Sequence, residues 1–442
     1  MLNHGHAPHQ LERRSLSWLV VSFVAIFLLA LPSIPDRLGD SEHYLNIAHG
    51  MQVPKPFSNR ILLPLVARSL SQLTHADVET CFLTLALFIY VAILLSLSIF
   101  ANLLKMNRLL LAGFWIVPSL AATLAQVYSP DLASVLWILV ISLAIAADLP
   151  ILAALLFIPA IMTRETNVLF GALTIVLFVS QRRYRAAATT AAAMAVGFWL
   201  AAKLSLGALG NVHEMNSVLY MLLKVPVNFI SNLLGIAFWT DTYHQWCAKP
   251  SASIPLPTFL HFGNMTRLGV CSIDGEALIS GWLPYFSVFG IGAGLMSALC
   301  SRVISMRRQI PGVILLAFGY GILMFIIGPM SGKAVLRLTF YGWPAFLIAL
   351  PYFLGRFISF DRSTLRLLVV LHVLCLCTAV SVLIGRAPLP LLSNLVSDAS
   401  ARAIALSVGL VTNLTAFIIV RRRYSVRDVM LPEVGAGTPT ET

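Results

Sequence analysis

Apolar residues run along this chain in blocks separated by short polar breaks, and most blocks are too uniform to leave one wet face. Twelve stand out, near 15–34, 80–104, 109–127, 132–147, 149–163, 167–180, 186–206, 281–301, 310–328, 338–355, 365–384 and 401–420. A bilayer-crossing helix needs roughly 20 predominantly apolar residues, with about 17 as the lower limit. Most blocks therefore read as membrane spans. The fourth, fifth and sixth are short, which predicts tilted, broken or protein-buried helices. The first block follows Glu12-Arg13-Arg14 and precedes no small-residue cleavage site, so it reads as a retained helix rather than a removed leader. The expected fold is an all-α polytopic membrane protein of about twelve transmembrane helices.

Composition supports that expectation. Hydrophobic residues make up 58% of the 442 residues, charged residues only 11%, and mean hydropathy is +0.86. Soluble domains carry about 25% charge, so a soluble enzyme, a disordered chain and a collagen-like chain are all excluded. The net charge of +12 needs no nucleic-acid partner, because topology accounts for it. With the N-terminus in the cytoplasm, the inner segments hold Arg13, Arg14, Lys105, Arg108, Arg182, Arg183, Arg185, Arg302, Arg307, Arg308 and Arg421-Arg422-Arg423, among others. More than half of the 30 basic residues then lie inside, but only a third of the 18 acidic ones. Membrane proteins place Lys and Arg on the cytoplasmic side in this way. Both termini are expected there. Residues 1–427 read as one membrane domain, and 428–442, with Pro, Gly and Thr, as a disordered cytoplasmic tail.

Two outer segments, about 35–79 and 207–280, are too long for plain turns, and long ordered loops usually carry function. Val212–Gly235 mixes apolar and polar residues and is expected to lie in the interface as an amphipathic helix. Cys247 and Cys271 share the second outer loop, where an oxidising compartment favours a disulfide between them. The other four cysteines sit in or beside spans as small apolar packers. Asn264-Met265-Thr266 is a glycosylation sequon of low specificity.

In a chain so poor in charge, each polar cluster at the membrane is a candidate for chemistry. Four lie on the outer side. The first, Asp36-Arg37-Leu38-Gly39-Asp40-Ser41-Glu42-His43-Tyr44, offers three carboxylates and a histidine, any carboxylate of which could act as a general base; its plain alternative is a solvated loop. The second, Pro56 to Pro64, places Arg60 before a short apolar helix, where a guanidinium could grip phosphate or serve as an interfacial anchor. The third joins Tyr128-Ser129-Pro130-Asp131-Leu132 with Thr163-Arg164-Glu165-Thr166-Asn167. Asp131 there could cap a helix N-terminus, and Arg164 and Glu165 could neutralise each other. The fourth runs from Gly328 through Lys333 and Arg337 to Pro344. It lacks the P-loop spacing, but two cations at a membrane mouth suit a phosphate head group. The alternative is snorkelling cations with Tyr341 and Trp343 as belt residues. All four clusters fall on one face, which predicts a single outer cavity.

These motifs resemble the GT-C superfamily of integral-membrane glycosyltransferases, which take sugars from polyprenyl-phosphate donors. That family has an Asp in the first outer loop within a D-[E/S]-x-x-Y pattern, and Asp40-Ser41-Glu42-His43-Tyr44 is similar. It often has a second Asp opening a later span, as Asp131 does, and a basic residue after a short apolar helix, where Thr163-Arg164 stands. Many members have Lys-Gly there rather than Arg-Glu. Arg337-Leu338-Thr339-Phe340-Tyr341-Gly342-Trp343-Pro344 resembles a late Arg ahead of an aromatic, Pro-containing span.

The resemblance implies a transferase working at the outer face, with a polyprenyl-phosphate-linked sugar as donor and a glycan, lipid or protein as acceptor. Asp40 would be the base or acceptor-orienting carboxylate, and Asp131 would position acceptor or metal, with Glu42 beside them. Arg164, Arg337, Lys333 and Arg60 would neutralise the donor phosphate. Asp36, His43, Tyr44 and Glu165 are further candidates. Some members use a divalent metal, and Asp40 and Asp131 with Asp36 and Glu42 are hard ligands suited to Mg2+ or Mn2+. Two readings compete. A transporter or flippase for an anionic or lipid-linked solute would place ionisable groups along a path open to both sides. Another membrane transferase would favour a nucleophile such as His43.

Overall fold

The computed structural model describes residues 7–35, 40–53, 57–205, 218–240, 253–256, 266–331, 335–358, 360–383 and 398–424. The chain is predominantly helical. In order the helices are α1 (Ala7–Ala30), α2 (Ser41–Ala48), α3 (Leu62–Thr74), α4 (Val78–Leu103), α5 (Arg108–Trp115), α6 (Pro118–Ala125) and α7 (Asp131–Ala146). They continue with α8 (Pro150–Leu155), α9 (Phe157–Thr163), α10 (Asn167–Ser180), α11 (Tyr184–Leu204), α12 (Val218–Leu234) and α13 (Gly275–Ser287). The last are α14 (Gly292–Ser305), α15 (Gly312–Ser331), α16 (Val335–Phe340), α17 (Leu350–Phe357), α18 (Arg362–Leu383) and α19 (Asp398–Tyr424).

Among the described residues, three helices are long and apolar enough to cross a membrane: α4, α11 and the Ala399–Arg422 part of α19. The number is five if two bent pairs each count as one span. These are α5 with α6, bent by 61°, and α13 with α14, bent by 62°. The other apolar blocks are helical but do not meet that test of length and composition over their described residues, so the count does not reach the expected twelve crossings. Each bend has a local cause. Pro118 opens α6 at N1 and holds Val117 in an extended conformation. The second break carries Gly290 at φ +57, a conformation that glycine adopts at no steric cost.

The surface of α4 shows the solvent for which the chain is built. Its inner stripe of Phe82, Ala86, Tyr90, Ile93, Leu97 and Phe100 is buried, while Phe88 is 70% exposed and Val91, Leu95 and Ile99 are also exposed. A helix apolar on every side suits a protein core or a membrane. Behind it, Phe23, Tyr90, Trp115 and Trp343 form an aromatic core, with Phe23 and Trp115 stacked 5.7 Å apart and Trp115 edge-on to Trp343 at 5.8 Å. Tyr90 donates to the Phe23 carbonyl at 2.7 Å and Trp115 to the Leu347 carbonyl at 2.9 Å, so both polar tips are satisfied in the core. Leu347 belongs to a fully buried π-helical turn, Pro344–Ala349. Gly321 of α15 lets that turn approach, since a Cβ there would stand 2.3 Å from the Ala345 nitrogen.

Two expectations for the second outer segment need correction, the all-α one first. Strands β1 (Ile236–Thr240), β2 (Ser253–Pro255) and β3 (Arg267–Ile273) form an antiparallel sheet in the order β1-β3-β2. Gly235 at φ +64 ends the preceding helix, and runs rich in Ile, Phe, Trp, Thr and Val then favour strand. Cys271 on β3 is disulfide-bonded; Cys247 lies outside the described residues, as does Asn264. The second correction concerns α12. It buries Asn228, Ser231 and Asn232 and leaves Val225, Phe229 and Leu234 exposed. Polar groups face the protein and apolar ones face out, the reverse of an interfacial helix with a wet face. Trp282 of α13 donates to the Leu233 carbonyl at 2.9 Å, and Gly281 packs directly on the Asn232 backbone.

Candidate active site

Residues from all four polar clusters of the sequence converge on one network. Asp131, Arg164 and Arg60 are the buried charged side chains among the described residues. Asp131 is the first residue of α7. Its side chain caps no helix N–H; instead one oxygen pairs with the Arg164 guanidinium and accepts the Tyr341 hydroxyl at 2.6 Å. Asp131 thus stands in the first turn of α7, where a carboxylate favours the helix N-terminus, and joins the network as well. The guanidinium of Arg164 also lies over the Tyr341 ring, 4.5 Å from its centroid, a favourable cation–π geometry.

The position of Arg164 follows from the chain break between α9 and α10. Arg164 is extended, and its N–H bonds back to Ala160 at 3.0 Å. Asn167, the first residue of α10, fixes the break from two sides. Its amide donates to the Ala160 carbonyl and its oxygen accepts from Ser134 of α7, both at 2.8 Å. An extended residue throws successive side chains to opposite sides. Arg164 and Glu165 therefore diverge and do not neutralise each other: Glu165 pairs with Arg60.

Arg60 follows the 3-10 turn Phe57–Asn59 and precedes α3. Its Nε donates to Glu165 at 2.8 Å, its Nη2 bonds the same carboxylate, and its Nη1 donates to the Tyr44 hydroxyl at 2.9 Å. Burial favours the neutral acid at Glu165, but the hydrogen bonds and charge of Arg60, aided by Arg164, prevail and hold the carboxyl below its usual range. This pair contributes stability above the ordinary carboxylate range and loses it as pH falls through the depressed value. Tyr44 is buried on α2, and His43 stacks on Phe57 with centroids 4.3 Å apart.

At the open end of the network, Arg337 of α16 bonds Asp40 through Nη1 to Oδ2 at 2.7 Å. Its Nε stands 3.5 Å from the second oxygen of Asp131. The side chains of Arg337 and Asp40 are 26% and 29% exposed, against 2% and 3% for Arg164 and Asp131. The network thus has a sealed inner tier and an accessible outer one, with three arginines balanced by three carboxylates.

Glu42 is exposed and takes no part in these contacts. Asp36 and Lys333 lie outside the described residues. Tyr341 and Trp343 are both buried, not belt residues. The sequence offered no signal for Tyr341 as a site residue, because Phe340-Tyr341-Gly342-Trp343 has the composition of an interfacial belt. Arg164 Nε and the hydroxyls of Ser129 and Tyr320 are buried without a hydrogen-bond partner among the described residues. Buried orphan donors of this kind call for a guest.

Cation binding fits this donor set poorly. Asp40 and Asp131 both face Arg337, and no group of three metal-type ligands occurs among the described residues. An Mg2+ or Mn2+ ion at this pair would sit against a guanidinium. Anions fit better, since each arginine is a planar fork that matches phosphate oxygens. No family model matches this chain, and no curated protein matches it.

Proposed function

We propose that this chain is an integral-membrane glycosyltransferase that moves a sugar from a polyprenyl-phosphate donor to an acceptor at the outer face. The observation that carries the reading is the convergence of Arg60, Arg164 and Arg337 with Asp40, Asp131 and Glu165 at one place, including a buried arginine nitrogen without a partner. Burying Arg60, Asp131 and Arg164 is costly, and intramembrane ionisable groups mark function by default.

In this reading the lipid tail of the donor stays in the bilayer and its phosphate meets Arg337 at the accessible tier. The acceptor hydroxyl gives its proton to Asp40 as its oxygen bonds the sugar's anomeric carbon. The bond from that carbon to the phosphate oxygen breaks, and the phosphate leaves with the electron pair. Fixed cations stabilise the charge that develops there, and Asp131 and Glu165 hold those cations in place. No step is routed through a metal. The membrane arrangement we assign is GT-C-like: about twelve crossings, both termini in the cytoplasm, and the site outside. The concentration of buried charge at a single cluster is what favours a one-faced enzyme over a transporter or flippase.

The test is sugar release from a panel of radiolabelled polyprenyl-phosphate sugars by the protein purified in lipid. Wild type is expected to release sugar from at least one donor. Asp40→Asn, folded to the same thermal midpoint, is expected to lose roughly 100-fold or more of that rate, the scale of general-base catalysis. Absence of release from every donor, together with unchanged surface glycans in cells carrying Asp40→Asn, would overturn the reading.

A further inference from the structure

We propose that Asp40 is a place-holder on Arg337, and that an anionic ligand must displace it before Asp40 can accept a proton; this rests on the reading of the cluster as a phosphate-binding transferase site. Three observations carry it. First, Asp40 stands at the N-cap position of α2, yet its side chain caps no helix N–H. Its contact is the one to Arg337 at 2.7 Å, so releasing the carboxylate unravels nothing in α2. Second, Arg337 is shared. Its Nε and the Asp131 Oδ2 face each other at 3.5 Å without either making a hydrogen bond. Arg337 therefore keeps a second anchor when Asp40 leaves. Third, the exchange is confined to the accessible tier, because Asp40 and Arg337 are both partly exposed, Glu165 is held by the buried Arg60, and Asp131 and Arg164 are sealed and tied to Tyr341.

A carboxylate held by a guanidinium competes for the same donors that a phosphate would take. The cluster is charge-balanced with Asp40 in place. A negative charge on the ligand can take Asp40's place on Arg337, and the partly exposed Asp40 carboxylate is then compensated by water. Freed from Arg337, the Oδ2 of Asp40 that holds the guanidinium becomes available to an acceptor hydroxyl. The consequence is an order of events: the anionic ligand enters first and exposes the base, and the neutral hydroxyl follows.

Binding measurements separate this from simple charge repulsion. The full chain in lipid nanodiscs is titrated with a polyprenyl monophosphate, and in parallel arms with inorganic phosphate and with the uncharged polyprenol. Asp40→Asn is expected to bind the polyprenyl monophosphate about five-fold or more tightly than wild type, the scale of a modest coupling between sites. Asp40→Ala should do the same, which guards against an artefact of one variant. Glu42→Gln removes an equal charge two residues away that does not touch Arg337, and is expected to change affinity less than about two-fold. Tightening in the inorganic phosphate arm would place the exchange at the phosphate alone, and tightening restricted to the lipid-linked ligand would make the chain part of it; both support displacement. Unchanged or weaker binding by both Asp40 variants, or an equal gain in Glu42→Gln, would overturn the place-holder while leaving the anion site intact. Arg337→Gln is expected to weaken binding in the same assay. If it binds as wild type does, or if the polyprenol binds as tightly as its phosphate, the anion-site reading fails and the place-holder with it.

Discussion

Arg164 and Arg337 are the same residue type in the same network, yet burial gives them different energetics. Removing one partner of a sealed ion pair strands the other charge and costs about 3–5 kcal/mol. An exposed pair is worth about 1 kcal/mol or less. Arg164→Met should therefore lower the thermal midpoint in nanodiscs severely, with the buried Asp131 left only the Tyr341 hydroxyl and the more distant Arg337. Arg337→Met should lower it only slightly, because Asp131 keeps Arg164 and Asp40 regains water. Equal losses in the two variants would refute the two-tier arrangement. At this scale the sequence was legible where a rare charge stood out against apolar neighbours, as with Asp40, Arg60, Asp131, Arg164 and Arg337. It was not legible for pairing. Glu165 follows Arg164 directly but binds Arg60, 105 positions away, and Tyr341 reaches Asp131 across 210 positions.

Helices in this chain end or bend where the backbone must find replacement partners. The break between α13 and α14 shows how that need is met at depth. Asn413 of α19 donates its amide to the carbonyls of Phe286 at 3.0 Å and Gly290 at 3.1 Å, and its oxygen accepts the Gly294 N–H at 2.8 Å. One side chain thus satisfies backbone groups that the bend frees, as a membrane interior demands. Gly294 permits the approach, since a Cβ there would stand 2.0 Å from the Asn413 carbonyl oxygen. Asn413→Leu removes the side-chain partner of the Gly290 carbonyl and the Gly294 N–H, at about 1–3 kcal/mol for each strongly desolvated one, while the Phe286 carbonyl keeps the Cys375 thiol. A clear loss of thermal stability in lipid is the expected result. Ser297→Ala, which removes only a bond back to the Ala293 carbonyl within α14, should change little. No drop for Asn413→Leu would mean that the break is held by packing alone.

For the molecule as a whole, the distribution of Lys and Arg between loops is the basis of the proposed orientation. That proposal puts the α3–α4 connection outside and the α10–α11 connection inside. Gln72 and Arg185 are exposed near these two connections. In a parent with Cys377, an exposed free thiol, changed to Ser, Gln72→Cys should react with a membrane-impermeant maleimide in intact cells. Arg185→Cys should react only after permeabilisation. The reverse pattern would turn the protein over and move the arginine cluster to the cytoplasm, and the proposed donor chemistry would then have to be abandoned. The number of crossings also belongs to this scale: α4, α11 and α19 are long enough by themselves. The short helices α7 and α10 bury their site-facing residues against other parts of the protein.

By itself the sequence determined the helical blocks, the apolar surroundings they need and the few positions where charge interrupts them. Those properties are local: helix period, residue size and the cost of a charge in hydrocarbon act within a few residues. Tertiary structure decided which interruptions meet. It drew Asp40, Arg60, Asp131, Arg164, Glu165 and Arg337 together, turned α12 with its asparagines inward, and built a small sheet where helices were expected. Nothing local specifies these outcomes, because they depend on packing between segments far apart in the chain. Partner choice in the ionic network follows the same rule. A buried charge is held by the nearest opposite charge in space, and the fold alone sets that distance.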